Sequence, residues 1–146
     1  MGLFQAFDIS ASGMTAERFR MDTIAQNIAN VNTTRTEDGT PYRRKVVTFA
    51  EKTVTPFTTY YESARARAVG NGVKVTSVKE DDTTDFKMEY DPSHPDADEN
   101  GYVYYPNVNN TEEQVDLMDA SRVYEANVSA LSVVKAMASK ALEIGK

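Results

Sequence analysis

The chain has 146 residues and a mass of 16.2 kDa, enough for one domain of ordinary size. It carries 16 Lys and Arg against 22 Asp and Glu, a formal net charge of −6, so it lacks the basic surplus that nucleic-acid binding requires. It contains no cysteine and one histidine, which excludes disulfides, cysteine nucleophiles and cysteine-based zinc sites.

The first segment has the pattern of a long amphipathic helix. Apolar residues recur every three, four or seven positions, the period of one helical face. Gly13 interrupts this pattern at a cost of about 1 kcal/mol relative to Ala, and the polar residues from Asn30 to Thr34 predict that the helix ends there. The apolar positions are Phe7, Ala11, Met14, Met21, Ile24, Ala25, Ile28 and Val31.

The middle of the chain changes to the short alternating pattern of strands. We predict four strands around residues 46–49, 73–75, 86–90 and 102–105. All five prolines fall between Pro41 and Pro106. The dipeptide Asn100-Gly101 suits a tight hairpin turn, because both residues tolerate positive φ. The sequence therefore predicts a small, loop-rich β module.

The last segment has the longest apolar period. Steps of three and four connect Ala120, Val123, Asn127, Ala130, Val134, Met137, Ala141 and Ile144. Thr111-Glu112-Glu113-Gln114 fits a capping box that starts the helix, and Gly145 fits its C-terminal cap. A helix from Glu112 to Ile144 would be about 50 Å long at 1.5 Å per residue, longer than a compact domain of this size is wide.

Asn127 is the one polar member of that apolar series. An asparagine buried in a coiled coil fixes register, because only one alignment gives its amide a partner. Asn27 and Asn30 of the first helix are candidate partners if the helices run antiparallel or meet across subunits. We therefore expect Asn127 to set the register of helix association.

Charge is segregated within the middle module. Residues 35–79 hold nine basic and four acidic residues, whereas residues 80–99 hold nine acidic residues and one basic residue. Opposite charges on one subunit favour head-to-tail contacts with copies or relatives, although two solvated faces are the more common outcome.

Candidate chemical sites are weak. Asp96, Asp98 and Asn100 resemble the start of an EF-hand calcium loop, but Asn107 replaces its bidentate Glu and the flanking prolines disfavour helices. His94 could bind a metal with neighbouring carboxylates, yet it lies between two prolines in a predicted exposed turn. No combination of residues fits a phosphate loop or a catalytic triad, so we expect no enzyme activity, no cofactor and no small-molecule substrate.

Several sequence blocks together resemble the axial proteins of the bacterial flagellum, the rod and hook subunits. The segment 27–33, Asn-Ile-Ala-Asn-Val-Asn-Thr, is similar to the signature that closes their first helix. Other blocks, which together resemble a proximal-rod member of that family, are residues 10–14, 20–22, 41–47, 90–97, 99–103, 105–109 and 120–127. The resemblance covers almost the whole chain in order.

This resemblance implies an α+β fold. Long N- and C-terminal helices would pair as a coiled coil, with the loop-rich β module between them. The implied division is an N-terminal assembly helix in residues 1–34, the middle module in 35–110 and a C-terminal assembly helix in 111–146.

The resemblance also implies a structural subunit of the proximal rod, which transmits torque from motor to hook. Such subunits pass through the flagellar export apparatus into the periplasm without a cleaved signal. The first residues agree, because they lack the charges and apolar run of a secretory signal. The implied partners are further copies of the chain and the rod proteins FlgB, FlgF and FlgG, with the rod-base protein FliE and the MS-ring protein FliF as further candidates.

The apolar faces of both helices exceed what a domain of this size can cover, so we expect them to face other subunits. An enzyme acting on peptidoglycan and a calcium-binding module at residues 96–107 are the alternatives. The expected assembly interface comprises Met14, Met21, Ile24, Asn27, Ile28, Asn30, Val31, Ala120, Val123, Asn127, Ala130, Val134, Met137, Ala141 and Ile144.

Overall fold

The computed structural model describes residues 3–52 and 70–143. Two long helices pack together, and a small strand module separates them in sequence, which confirms the predicted α+β class. The elements are α1 (Leu3–Ala29), β1 (Lys45–Glu51), β2 (Val73–Glu80), β3 (Lys87–Tyr90), β4 (Tyr102–Tyr105) and α2 (Asn110–Glu143). In this part of the chain neither helix is long and apolar enough to cross a membrane.

The four predicted strands are all present and form two ribbons. β1 pairs with β2, and β3 pairs with β4. The second pair is antiparallel, with Lys87 opposite Tyr105 and Tyr90 opposite Tyr102. Val103 of β4 is fully buried, so one face of this ribbon is turned toward a core.

A turn is present at Asn100-Gly101, but it is not the predicted tight hairpin turn, because β3 ends at Tyr90 and β4 begins only at Tyr102. The Gly101 N–H donates to the Asp98 carbonyl at 3.0 Å, and Asp98 Oδ1 accepts the N–H groups of Asn100 and Tyr102. Gly101 adopts a φ of 81°, which costs a glycine little. Asn100 does not have a positive φ, since only glycines do among the described residues. Gly101 is therefore the one left-handed residue of this turn.

The predicted cap of α2 is wrong by two residues. The helix begins at Asn110, and the Oδ1 of Asn109 accepts the Thr111 N–H at 3.2 Å. Thr111 is therefore inside the helix rather than its cap. The C-terminal cap proposed at Gly145 lies outside the described residues.

Contacts group the chain into two compact units. Of the described residues, the first unit takes in 3–20, 48–52, 70–77 and 120–143, and the second takes in 21–47 and 78–119. In the first unit the Val73 N–H donates to Ser12 Oγ at 3.0 Å, which ties the start of β2 to α1. The second unit contains the buried side chains of Ile24, Tyr42, Val103 and Val108.

Candidate assembly site

The second half of α2 has two different apolar faces. The inner face is half-buried or buried and repeats every three or four residues, at Ala120, Tyr124, Asn127, Leu131, Val134 and Ala138. Beside it runs an exposed strip, defined here as Val123, Ala126, Ala130, Val133, Met137 and Ala141. The side chain of Met137 remains 60% exposed. The helix thus buries one face and leaves the neighbouring face uncovered.

The single stripe read from the sequence is divided between these faces. Ala120, Asn127 and Val134 belong to the inner face, whereas Val123, Ala130, Met137 and Ala141 belong to the exposed strip. Ile144 lies outside the described residues. On and after α1, Ile24 and Asn27 are buried, and the half-buried positions are Met14, Met21, Ile28, Asn30 and Val31.

Asn127 contacts α1 at a different place from the one expected. A Cβ atom added to Gly13 would lie 2.9 Å from Asn127 Oδ1 and 3.0 Å from its Nδ2. The amide of Asn127 donates to the Val123 carbonyl of its own helix at 2.9 Å. Gly13, which interrupts the apolar pattern of α1, is therefore the residue that makes room for Asn127.

Asn27 is the centre of a buried polar cluster in the second unit. Its side chain is 1% exposed. Its Nδ2 donates to the Lys45 carbonyl and to Glu113 Oε2, each at 2.9 Å. Its Oδ1 accepts from the Tyr42 hydroxyl and from the Lys45 N–H, also at 2.9 Å. The amide therefore uses both donors and both acceptor positions within the second unit.

Glu113 and Arg44 extend this cluster. Glu113 is fully buried, and its Oε1 accepts a short, charge-assisted hydrogen bond from Arg44 Nε. Arg44 Nη2 also lies 3.3 Å from Asp116 Oδ2. Burial lowers the pKa of Arg44, but the hydrogen bond and charge of Glu113, together with Asp116, outweigh burial and raise it. Burial, followed by the charge of Glu113, raises the pKa of Tyr42.

Asn107 connects the same cluster to the loop before β3. Its Oδ1 accepts the Arg44 N–H at 2.8 Å, and its Nδ2 donates to the carbonyls of Asp81 and Thr84. Asn107 and Glu113 were not expected to be buried. A polar residue gives no periodic signal, so only its packed environment identifies these two positions.

The segregated charges of the middle module meet within one chain. Arg43 Nη1 lies 3.5 Å from Asp82 Oδ1. The guanidinium carbon of Arg43 lies 4.4 Å from the centroid of the Phe86 ring. Arg35 lies 3.7 Å from Asp96. Part of the basic segment is thus neutralised internally by the acidic segment.

His94 and the carboxylates of the middle module have structural partners. Asp96 accepts from the Thr34 hydroxyl at 2.8 Å, and His94 Nδ1 accepts the Asp96 N–H at 3.1 Å. Among the described residues, no three His, Asp or Glu side chains are grouped to hold a metal ion. Hydrogen bonds from Thr83 and Thr84 lower the pKa of Asp81 to about 2, which disfavours a role as a general acid.

Comparison with known proteins identifies the family of this chain. Residues 7–35 match the family model "Flagella basal body rod protein", and residues 99–144 match "Flagellar basal body rod FlgEFG protein C-terminal". The chain is similar to the flagellar basal-body rod protein FlgC of Bacillus subtilis (45% identity over 100% of both chains). It is also similar to FlgC of Borreliella burgdorferi (44% identity over 99% of this chain and 98% of the relative) and of Salmonella typhimurium (40% identity over 100% of both). The chain therefore belongs to the FlgC family of flagellar basal-body rod proteins.

Proposed function

We propose that this chain is a structural subunit of the proximal rod and that it enters the rod by burying the exposed strip of α2 against neighbouring subunits. The observation that carries this proposal is the strip itself. Its six residues are small or apolar, they follow one side of a long helix, and each of them is exposed. A continuous uncovered apolar face of this kind is typical of an interaction surface.

The energetics favour assembly through this strip. Burying a side chain such as Val133 or Met137 contributes about 1.5–3 kcal/mol. Three of the six strip residues are alanines, which let a second helix approach closely. The second half of α2 gains little stability from contacts within its own chain, so packing against another subunit is its main source of stability.

The partners proposed for this surface are copies of the chain and the rod proteins FlgB, FlgF and FlgG. FliE and the MS-ring protein FliF are proposed at the base of the rod. The flagellar export apparatus would deliver the chain to the periplasm without cleaving a signal. In this proposal residues 1–34 and 111–146 are assembly helices, residues 35–110 form the outer module, and the role is structural rather than catalytic.

The test is Met137→Asp in a motile bacterium, with Ser139→Asp as the matched control. Ser139 is also exposed, but it lies on the opposite side of the helix from Met137. A carboxylate at position 137 would be buried unpaired on assembly, which costs several kcal/mol. We expect secretion of both variants and loss of rods and swimming only for Met137→Asp.

Circular dichroism of the purified variants separates assembly from folding. Because Met137 is exposed in the single chain, both variants should retain the helix content of the parent. Normal rods and swimming with Met137→Asp would show that the strip is not an assembly surface.

A further inference from the structure

The ribbon formed by β3 and β4 has an unusual outward face. Met88 is paired with Tyr104 and Tyr90 with Tyr102, and residues two apart on a strand share a face. All four side chains therefore lie on one face of the ribbon, and all four are exposed. Tyr90 and Tyr102 contact each other edge to face, with ring centroids 5.3 Å apart. We call these four residues the tyrosine face.

On the opposite face of the ribbon the two β4 residues serve the core, whereas Lys87 and Glu89 of β3 are exposed. Val103 is fully buried, and Tyr105 is half-buried against the His94 ring, at 6.4 Å between centroids. The tyrosine face is thus not the core side of the ribbon. Tyrosine is enriched at the energetic centres of protein interfaces, because it combines a large apolar ring with a hydroxyl and few rotatable bonds.

A cleft of about 220 Å³ adjoins this face at Tyr104. Pro41 and Pro95 contribute apolar walls, and the side chains of Arg35 and Asp96 also line the cleft. These residues and the tyrosine face belong to the second unit. The surface therefore combines an aromatic platform with a cleft that is large enough for one long side chain.

The ion pair between Arg35 and Asp96 indicates which kind of side chain the cleft would accept from a partner. Arg35 Nη1 lies 3.7 Å from Asp96 Oδ1, beyond hydrogen-bond distance, and the Arg35 side chain is 69% exposed. Asp96 has a further partner, because its Oδ2 accepts from the Thr34 hydroxyl at 2.8 Å. A guanidinium from outside could form the closer, bidentate pair with Asp96 that Arg35 does not make. Its flat face could also stack on the Tyr104 ring.

Charge complementarity identifies the kind of partner. Residues 80–99, which include β3, carry nine acidic residues and one basic residue, and the whole chain has a net charge of −6. In the second unit, Arg35, Arg43 and Arg44 already contact carboxylates of their own chain. A second copy would thus bring further negative charge, and the arginines of its second unit would already contact carboxylates of their own chain, which disfavours it as the occupant.

We propose that the tyrosine face and its cleft dock a different protein with a basic surface, which inserts an arginine between Tyr104 and Asp96. Arg35 occupies the cleft loosely until the partner displaces it. This surface belongs to the second unit and shares no residue with the exposed strip of α2, so it gives the chain a second contact surface.

The first arm of the test is a nuclear magnetic resonance titration of the full chain. The probes are N-acetyl-arginine methylamide and its neutral isostere, N-acetyl-citrulline methylamide. We expect the arginine probe to shift the Tyr104 ring signals and to bind about tenfold more tightly than the citrulline probe, the factor that corresponds to 1.4 kcal/mol. Equal binding, or no shift with the arginine probe, would overturn the proposal.

Two substitutions give opposite predictions in the same titration. Arg35→Ala removes the internal competitor and should tighten binding of the arginine probe several-fold. Asp96→Asn keeps an oxygen that can accept from Thr34 but removes the charge, and it should weaken binding about tenfold. Weaker binding after Arg35→Ala would contradict displacement of Arg35 by the partner.

The second arm identifies the occupant in intact basal bodies. A photoreactive phenylalanine replaces Tyr104, and the matched control replaces Val78, which is equally exposed at 42% but lies on β2. We expect a cross-link from position 104, but not from position 78, to an arginine-containing segment of a different protein. A cross-link to a second copy, or none, would overturn the proposal. The titration does not need rods, so failure of rod assembly and failure of this proposal are distinguishable.

Discussion

Asn27 shows how one polar residue can organise the second unit. Four hydrogen bonds connect α1 through this side chain to residues 42–45 and to the first turns of α2. Asn27 and Arg44 supply the donors that compensate the buried carboxylate of Glu113, and loss of either donor would leave a charged oxygen buried without a partner. A buried polar cluster in which all positions are used fixes one arrangement of its elements.

Asn27→Ala should therefore destabilise the chain strongly. The substitution leaves the Tyr42 hydroxyl and one Glu113 oxygen without their partner, and each such buried group costs about 1–3 kcal/mol. We expect a loss of about 3 kcal/mol in the free energy of unfolding by urea. Asn30→Ala is the control, because Asn30 is only half-buried and its side-chain bonds are local, with Nδ2 donating to the Gln26 carbonyl and Oδ1 accepting from the Thr33 hydroxyl. Similar losses for both variants would contradict the central role of Asn27.

The environment of Glu17 on α1 predicts that the stability of the fold depends on pH. Its Oε2 is shielded from solvent and has no hydrogen-bond partner among the described residues. Burial raises the pKa of Glu17 above the ordinary 4.5, although the charge of Arg20 opposes this. A carboxyl with a raised pKa in the folded state stabilises the fold when protonated, and this contribution is lost as pH rises from about 4.5 through the folded pKa.

Glu17→Gln should accordingly increase the melting temperature at pH 7 and change it less at pH 4. The control is Glu125→Gln, which alters an exposed carboxylate on α2. Thermal unfolding of the three proteins at both pH values checks the prediction. A variant that melts below the parent at pH 7 would mean that the Glu17 carboxylate is stabilising.

At the scale of elements, the sequence predicts the existence of the helices and strands better than the direction of their faces. The alternation is visible in β1, β2 and β4, because each of them has one more buried side. Every residue of β3 is exposed. In α2 the three- and four-residue steps pass from the inner face to the exposed strip, because both faces are apolar. Composition alone therefore cannot separate Asn127 and Val134 from Val123 and Met137. The N-terminal cap of α2 is Asn109 rather than the predicted Thr111, and the sequence does not separate them because both residue types are good caps.

The contact between Gly13 and Asn127 can be tested by a double-mutant cycle. Gly13→Ala should gain about 1 kcal/mol from helix propensity, but the new Cβ would lie about 3 Å from the Asn127 side chain. We expect the gain to be largely cancelled in the parent and to appear in full in the Asn127→Ala background. Urea unfolding of the parent, both single variants and the double variant measures this coupling. Additive effects would show that the two residues do not interact.

At the scale of the whole molecule, stability should be unevenly distributed. The second unit holds the cluster of Asn27, Arg44 and Glu113 and the buried residues Val103 and Val108. The second half of α2 has an exposed strip and a single half-buried face. The sequence predicted the long helices and the uncovered apolar surface, but it did not predict this buried polar cluster, because its members are distant in sequence and have no shared period.

Hydrogen exchange should follow this distribution in the isolated chain. Amides open at a free energy set by the local buried contacts, so protection in α2 should be greatest near Glu113 and should decrease toward Glu143. Exchange in rods from purified basal bodies should be slow along the whole helix, because neighbouring subunits then cover the exposed strip. Mass spectrometry of peptides from 110–119 and 130–143 in both states checks this change. Equal, strong protection of the two segments in a proven monomer would mean that α2 is stable without assembly and that the exposed strip needs no neighbour.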